Sequence, residues 1–114
     1  MLSSGPTCAL RIYVGEQDTF GHEPLYEAIV TKAREMNLAG ATVIRGSMSF
    51  GDSERIHTAK VLRLSDDLPI VIEIVDQKAK IDEFLPYLNE AMNSGFATTT
   101  MVDVAVVGRK KASS

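Results

Sequence analysis

The residues with the clearest potential for chemistry lie between positions 45 and 60. The sequence reads RGSMSFG over 45–51, and the cations Arg55 and Lys60 follow, together with His57. Glycine lets backbone N–H groups approach an anion closely, as in phosphate-binding loops, and nearby cations neutralise phosphate charge. The segment therefore indicates a phosphate site, although it matches no Walker A pattern. A flexible surface loop with glycines in its turns is the alternative from these residues alone.

The other reactive side chains form no familiar catalytic or metal-binding pattern. His22 and His57 are isolated histidines, and the single cysteine, Cys8, cannot build a zinc site from several thiolates. Glu16 and Asp18 follow the first predicted strand and could orient a ligand, but charges in loops are usually solvated. Because no nucleophile stands beside a base in a known signature, we expect the protein not to be an enzyme and to require no cofactor.

Length and charge limit the class of protein. The 114 residues suit one domain, which we place at 7–109 between a disordered tail at 1–6 and a C-terminal tail at 110–114. A net charge of −3 argues against nucleic acid as a partner, because nucleic-acid binders usually carry a basic face. No stretch resembles a secretory signal or a membrane span, and one cysteine suits a reducing compartment, so we expect a cytoplasmic protein.

Hydrophobic periodicity predicts the elements that precede the 45–60 segment. Apolar and polar residues alternate over 10–14, which indicates a half-buried strand. Apolar residues then recur at helical spacing over 24–36, which predicts an amphipathic helix. Residues 41–45 predict a second, short strand. Residues 46–56 show no clear period and predict a loop of about ten residues or more, which is long for so small a domain.

The second half of the chain has the same kind of pattern. Residues 70–75 are largely β-branched and predict a third strand, with Asp76 as the cap of the helix that follows. The buried face of that helix is predicted at Ile81, Phe84, Leu85, Leu88 and Met92. Pro86 lies inside this pattern and should kink the helix or break it locally. Residues 98–107, with alternating valines, predict the last strand.

The order strand-helix-strand-strand-helix-strand is the split βαβ arrangement. It predicts an α+β, ferredoxin-like sandwich, in which a four-stranded antiparallel sheet carries both helices on one face. Whether residues 58–64 extend a strand stays open on the sequence alone. An RNA-binding module of this fold would need aromatic residues on its central strands, and the predicted central strands offer only Tyr13.

Six segments together carry a family signature. They read LRIYVGE at 10–16, PLYEAIV at 24–30, GATVIRG at 40–46, FG at 50–51, IHTA at 56–59 and LPIVIEIVD at 68–76. In this order, over residues 8–108, the chain resembles the family called domain of unknown function 190, which belongs to the PII-like group of signalling proteins. The resemblance implies a ferredoxin-like fold assembled as a homotrimer.

The resemblance also implies a ligand and a partner. In PII-like trimers an adenine nucleotide (AMP, ADP or ATP) lies in the cleft between adjacent subunits. The parts of this chain that would line the cleft are the loop base at 45–51, the segment 93–98 and residues 108–110. The candidate nucleotide-binding residues are Arg45, Gly46, Ser49, Phe50, Gly51, Arg55, His57, Gly95 and Arg109. The 46–60 loop would dock on a partner protein, for which a membrane transporter is a candidate.

The sequence departs from the PII pattern in two places, and two other functions stay open. Ser49 stands where the family often has glycine, and the phosphate loop after the second helix is reduced to NSGF at 93–96, so 2-oxoglutarate sensing is not expected. A buried, partnered His57 would favour a small enzyme acting in the cleft. An apolar cleft without converging cations would favour a structural trimer that binds proteins and no small ligand.

Overall fold

The computed structural model describes residues 5–46, 48–50, 56–58 and 68–108, and of 48–50 and 56–58 we describe the backbone. The elements in chain order are β1 (Thr7–Gly15), β2 (Thr19–Phe20), β3 (Glu23–Pro24), α1 (Leu25–Glu35), β4 (Thr42–Arg45), β5 (Met48–Phe50), β6 (Ile56–Thr58), β7 (Pro69–Gln77), α2 (Lys78–Ala91) and β8 (Phe96–Val102). One sheet has the antiparallel strand order β4-β7-β1-β8, and β2–β3 and β5–β6 form separate pairs. This arrangement confirms the predicted α+β, ferredoxin-like fold.

One face of the four-stranded sheet packs against both helices, and we call it the covered face. Its residues alternate along the two central strands and are almost fully buried, at Leu10, Ile12, Val14, Ile70, Ile72 and Ile74. Side chains from α1 and α2 join the same hydrophobic cluster, among them Ile29 and Phe84. Burial of one such side chain contributes about 1.5–3 kcal/mol, so this face supplies most of the driving force for folding.

The opposite side of the sheet, the open face, carries an apolar row that crosses all four strands. The strand register places Ile44 beside Val71, Val71 beside Tyr13, and Tyr13 beside Phe96. The Phe96 ring stacks on the Tyr13 ring with 4.6 Å between centroids. Ile44 and Phe96 are 49% and 58% exposed, so this row faces solvent in a single chain. In the neighbouring row, Arg11 Nε donates to Glu73 Oε2 at 2.8 Å.

The second helix differs from the prediction at its start and in its middle. Asp76 is not its cap: the helix begins at Lys78, and Asp76 is a buried residue of β7. Strand alternation turns Asp76 towards the covered face, where its carboxylate accepts N–H groups from Ala39 at 2.8 Å and from Gln77 at 2.6 Å. Pro86 was predicted to kink this helix or to break it locally, and Lys78–Ala91 is one helix that runs through Pro86, so there is no break.

The last strand begins earlier and ends earlier than predicted. It covers Phe96–Val102 rather than 98–107, because its partner in the sheet is β1 and β1 begins at Thr7, opposite Val102. Beyond that residue no ladder partner is left for it in β1. The valines at 104, 106 and 107 are consequently outside the sheet, and all three are exposed.

The segment after β4 contains a short hairpin where the sequence predicted an irregular loop. β5 pairs antiparallel with β6, with Met48 opposite Thr58 and Phe50 opposite Ile56. The absence of a clear hydrophobic period hid these strands, since three residues are too few to show one. Residues 59–64, which could have extended a strand, lie outside the described part of the chain.

Candidate functional site

The two ends of the long β4–β7 segment are tied to each other and to the end of β1. The Gly46 N–H donates to the Pro69 carbonyl at 2.8 Å, and the Glu16 N–H donates to the Leu68 carbonyl at 2.7 Å. A Cβ on Gly46 would lie 2.8 Å from Cγ of Pro69, so glycine permits this close approach. The loop base is therefore a defined junction, with backbone from three segments held together.

Arg45 supplies a cation at this junction. Its Nη1 donates to Oε2 of Glu16, and its Nη2 donates to the Tyr26 hydroxyl at 3.3 Å. Its guanidinium carbon lies 5.7 Å from the centre of the Tyr26 ring, within the range of a cation–π contact. The hydrogen bond to Glu16, and then the charge of Glu16, raise the pKa of Arg45 above its usual value. The Arg45 side chain is 50% exposed, so it is oriented and still reachable by a ligand.

Strand register explains why this cation meets the helix layer. Arg45 pairs with Ile70, a buried residue of the covered face, so the Arg45 side chain leaves the sheet on that face. There it meets Tyr26 at the start of α1. The sequence pattern left Glu16 as a loop charge that could orient a ligand but is more often solvated, and it gave no signal for a contact of Tyr26. Helical spacing places Tyr26 near the sheet, but only the register of β4 could have matched it with Arg45.

Gly95 has a structural role that the sequence did not reveal. Its φ is +80°, in the left-handed region that favours glycine. A Cβ at this position would also lie 2.1 Å from the carbonyl oxygen of Tyr13. The backbone conformation at the start of β8 and the nearby Tyr13 carbonyl therefore require glycine at position 95, whether or not a ligand binds there.

A surface groove of about 640 Å³ runs between α2 and the start of β8. Its lining includes Leu85, Pro86 and Asn89 from α2, followed by residues 93–97. The segment 93–98 is the one that the family resemblance assigned to ligand binding. Five of its six positions, 93–97, line this groove, and Gly95 is one of them.

Arg45 and Gly95 lie at the same end of the sheet but on opposite edges. Arg45 ends the edge strand β4, and Gly95 directly precedes the edge strand β8, with β7 and β1 between them. Three strand spacings of about 4.8 Å separate the two edges by roughly 14 Å. One phosphate group cannot touch both positions. They would contact either different parts of an extended ligand or ligands shared by different copies of the chain.

The remaining candidates are only partly described. The hairpin of β5 and β6 brings the backbones of Ser49 and His57 opposite each other and includes Phe50. Gly51, Arg55 and Arg109 lie outside the described residues. The side chain of His57 is not described either, so the test that would favour an enzyme stays open.

Within the described ranges, no group of three or more histidine, cysteine, aspartate or glutamate residues could hold a metal ion. Neither α1 nor α2 is long and apolar enough to cross a membrane. Among the described residues of the loop base, Arg45 and Glu16 form an ion pair, and Asp18 in the same turn as Glu16 accepts the Gly15 N–H at 2.9 Å.

Comparison with known families identifies the group to which the chain belongs. The model of the family DUF190, described as "Uncharacterized ACR", matches residues 7–104. A UPF0166 protein of Aquifex aeolicus is 35% identical over 98 residues, which cover 86% of this chain and 90% of that protein. Another UPF0166 protein, from Methanocaldococcus jannaschii, is 35% identical over 92 residues, covering 80% and 84%. The chain is a member of the DUF190 family.

Solved structures place this family member in the PII-like fold. The GlnK–ATP complex of B. subtilis superposes with a TM-score of 0.59 at 12% identity and covers 88% of this chain and 84% of GlnK. CPII of Thiomonas intermedia K12, a nitrogen regulatory PII-like protein bound to ADP, AMP and bicarbonate, has a TM-score of 0.58 at 14% identity, with coverage of 90% and 92%. At these identities the likeness establishes the fold, and it confirms the expected PII-like architecture.

Proposed function

We propose that the chain is a PII-like regulatory protein that binds an adenine nucleotide in clefts between the subunits of a homotrimer. The observation that carries the proposal is the arrangement at one end of the sheet. There an oriented cation, Arg45, stands at the loop base, and the groove lined by 93–97 opens by the opposite edge. Because roughly 14 Å separates the two edges within one chain, a cleft between subunits would combine Arg45 of one copy with the 93–97 groove of the next.

The choice of an adenine nucleotide draws on proteins with the same fold. GlnK was solved with ATP, and CPII was solved with ADP and AMP. Their low identity to this chain leaves the particular nucleotide open among AMP, ADP and ATP. In this proposal the protein is not an enzyme, because the contacts of Arg45 at the loop base suit the binding of an anion.

The open face of the sheet supports self-association, and the number of three subunits comes from the resemblance to PII-like proteins. Contiguous apolar surface that is exposed on one chain commonly marks a protein interface. The row of Ile44, Val71, Tyr13 and Phe96 crosses the whole sheet and is half exposed at both of its ends. We infer that other copies of this chain cover it, since closed rotational symmetry is the usual way for identical chains to bury one such surface.

The proposal also includes a partner and a location. The 46–60 loop follows Arg45 directly, at the junction that would hold the ligand. Ligand binding at Arg45 can therefore change the conformation of the loop. We propose that this loop docks on another protein, a membrane transporter being one candidate, and that the complex forms in the cytoplasm.

Isothermal titration calorimetry against AMP, ADP, ATP and cyclic AMP, with light scattering for the oligomer, tests the proposal. We expect one of these nucleotides to bind the trimer and Arg45→Ala to weaken it about tenfold or more, because charge-assisted hydrogen bonds to phosphate are lost. Arg34→Ala, on the exposed surface of α1, removes the same charge elsewhere and is the matched control. No binding at millimolar nucleotide would refute the proposal and leave a structural trimer. Equal binding by Arg45→Ala would refute the site.

A further inference from the structure

Arg45, the candidate phosphate partner at the loop base, already holds an anion of its own chain. One terminal nitrogen donates to the carboxylate of Glu16, and the other donates to the hydroxyl of Tyr26. A guanidinium uses the same fork of N–H donors for carboxylates and for phosphates. A phosphate group that binds Arg45 from the solvent therefore meets the Glu16 carboxylate as a direct competitor.

Glu16 is placed to leave Arg45 without disturbing the sheet. Its backbone N–H is fixed to the Leu68 carbonyl at 2.7 Å, whereas its side chain makes the contact with Arg45. The Glu16 side chain is 26% exposed, so its carboxylate can rotate into water while the backbone stays in position. The exchange requires a change of side-chain torsion angles only.

Tyr26 would keep Arg45 in position during that exchange. Its hydroxyl accepts from Nη2 at 3.3 Å, and the ring centre lies 5.7 Å from the guanidinium carbon. Both contacts are made by an uncharged group, and neither depends on Glu16. The cation is therefore oriented by one neighbour and electrostatically neutralised by the other.

We propose that Glu16 is a specificity-determining residue of the nucleotide site, whose carboxylate occupies Arg45 in the free protein and is displaced by a phosphate group of the ligand. This inference rests on the proposed function and adds a consequence to it. Since the phosphate must exceed the carboxylate in its attraction for Arg45, Glu16 weakens binding of every phosphate-bearing ligand and selects against weakly charged anions.

If Glu16 had a positioning role instead of a competing one, its neutralisation would change nucleotide affinity in the opposite direction. Measuring that affinity therefore distinguishes the two roles. If Glu16 merely positioned Arg45 for the ligand, its neutralisation would loosen Arg45 and weaken nucleotide binding. If Glu16 competes with the ligand, neutralisation strengthens binding. Glu16→Gln has nearly the same size and removes only the charge. Glu35→Gln, at the exposed end of α1, raises the net charge equally, from −3 to −2, and is the matched control.

The first measurement compares nucleotide affinities by calorimetry, with adenosine as the ligand that lacks phosphate. For Glu16→Gln we expect AMP, ADP and ATP to bind about two- to fivefold more tightly, the range that corresponds to breaking an exposed ion pair. Adenosine should bind as it does to the unmodified protein, and Glu35→Gln should change nothing beyond error, because distant exposed charges are screened. Weaker nucleotide binding by Glu16→Gln would overturn the inference.

The second measurement separates this inference from the proposed function, because it uses inorganic pyrophosphate in place of a nucleotide. Side-chain ¹⁵N NMR of Arg45 reports slow rotation of an ion-paired guanidinium. We expect the Arg45 guanidinium to rotate slowly in the unmodified protein and faster in Glu16→Gln. Pyrophosphate should shift the Arg45 signals in both proteins, and the shift should occur at a lower pyrophosphate concentration in the variant. If no nucleotide binds but pyrophosphate behaves in this way, the proposed function fails and the exchange stands. If pyrophosphate does not move the Arg45 signals in either protein, the exchange is refuted.

Discussion

The two faces of the four-stranded sheet carry similar aliphatic side chains but have different neighbours. On the covered face, Ile72 is completely buried beneath the helices. On the open face, Ile44 belongs to the strand beside Ile72 and is 49% exposed. The same residue type therefore serves folding on one side of the sheet and remains available for association on the other.

This difference shows why apolar periodicity alone says little about oligomers. A strand with alternating polar residues would leave a solvated open face, and the row containing Arg11 and Glu73 follows that rule. The row that ends at Ile44 and Phe96 breaks it, because apolar residues point to both sides of the sheet at that level. Truncating residues on each face in turn measures what each one contributes.

The largest effect should come from the covered face. Ile72→Ala should lower the free energy of unfolding by about 2–5 kcal/mol, because it removes buried methyl groups and leaves a cavity under the helices. Urea denaturation below the concentration of assembly measures the loss. Ile44→Ala is the matched variant and should cost no more than about 1 kcal/mol under the same conditions. Equal losses would mean that the two faces do not differ in the single chain.

A smaller effect on folding, with a clear effect on assembly, should come from Phe96. Phe96→Ser removes its stacking on Tyr13, a contact of about 1 kcal/mol, and breaks the apolar row. Light scattering should then report the mass of a single chain. Phe20→Ser is the control, because Phe20 is 43% exposed and packs edge-on against Tyr87 at 6.2 Å, in the helix layer. Full assembly of the Phe96 variant would rule out the open face as the interface.

The smallest effect should come from the ion pair on the open face. Glu73→Gln removes the partner of Arg11, and both side chains are partly exposed, at 33% and 50%. The free energy of unfolding should fall by less than in either variant above, and the difference should vanish near about 1 M salt, where exposed charges are screened. A loss that persists at high salt would show that other copies of the chain shield this pair from water.

Much of the fold follows from local patterns. The alternation over 10–14 and the β-branched run over 70–75 correctly indicate the two central strands, and the helical spacing over 24–36 indicates α1. The errors fall where a distant segment decides the outcome. Asp76 was expected to cap a helix, but it is a buried strand residue whose carboxylate accepts the N–H of Ala39, 37 positions earlier in the chain.

The candidate site was predictable only in part. Glycine and cation content indicated the loop base, and Gly46 does permit a close backbone contact with Pro69. The cation–carboxylate–tyrosine contact was not predictable, because Glu16 and Tyr26 lie 29 and 19 positions before Arg45 in the chain. No spacing rule connects residues in a turn, a helix and an edge strand.

The sequence by itself indicated the four strands of the main sheet and the two helices, their order, and the family to which the chain belongs. Those properties depend on periodicity and on short motifs, which are local. The tertiary structure alone decided that Arg45 leaves the sheet on the covered face and meets Glu16 and Tyr26. The physical reason is strand register: a shift of one residue in the pairing of β4 with β7 would turn Arg45 to the open face, and nothing within β4 itself specifies that pairing.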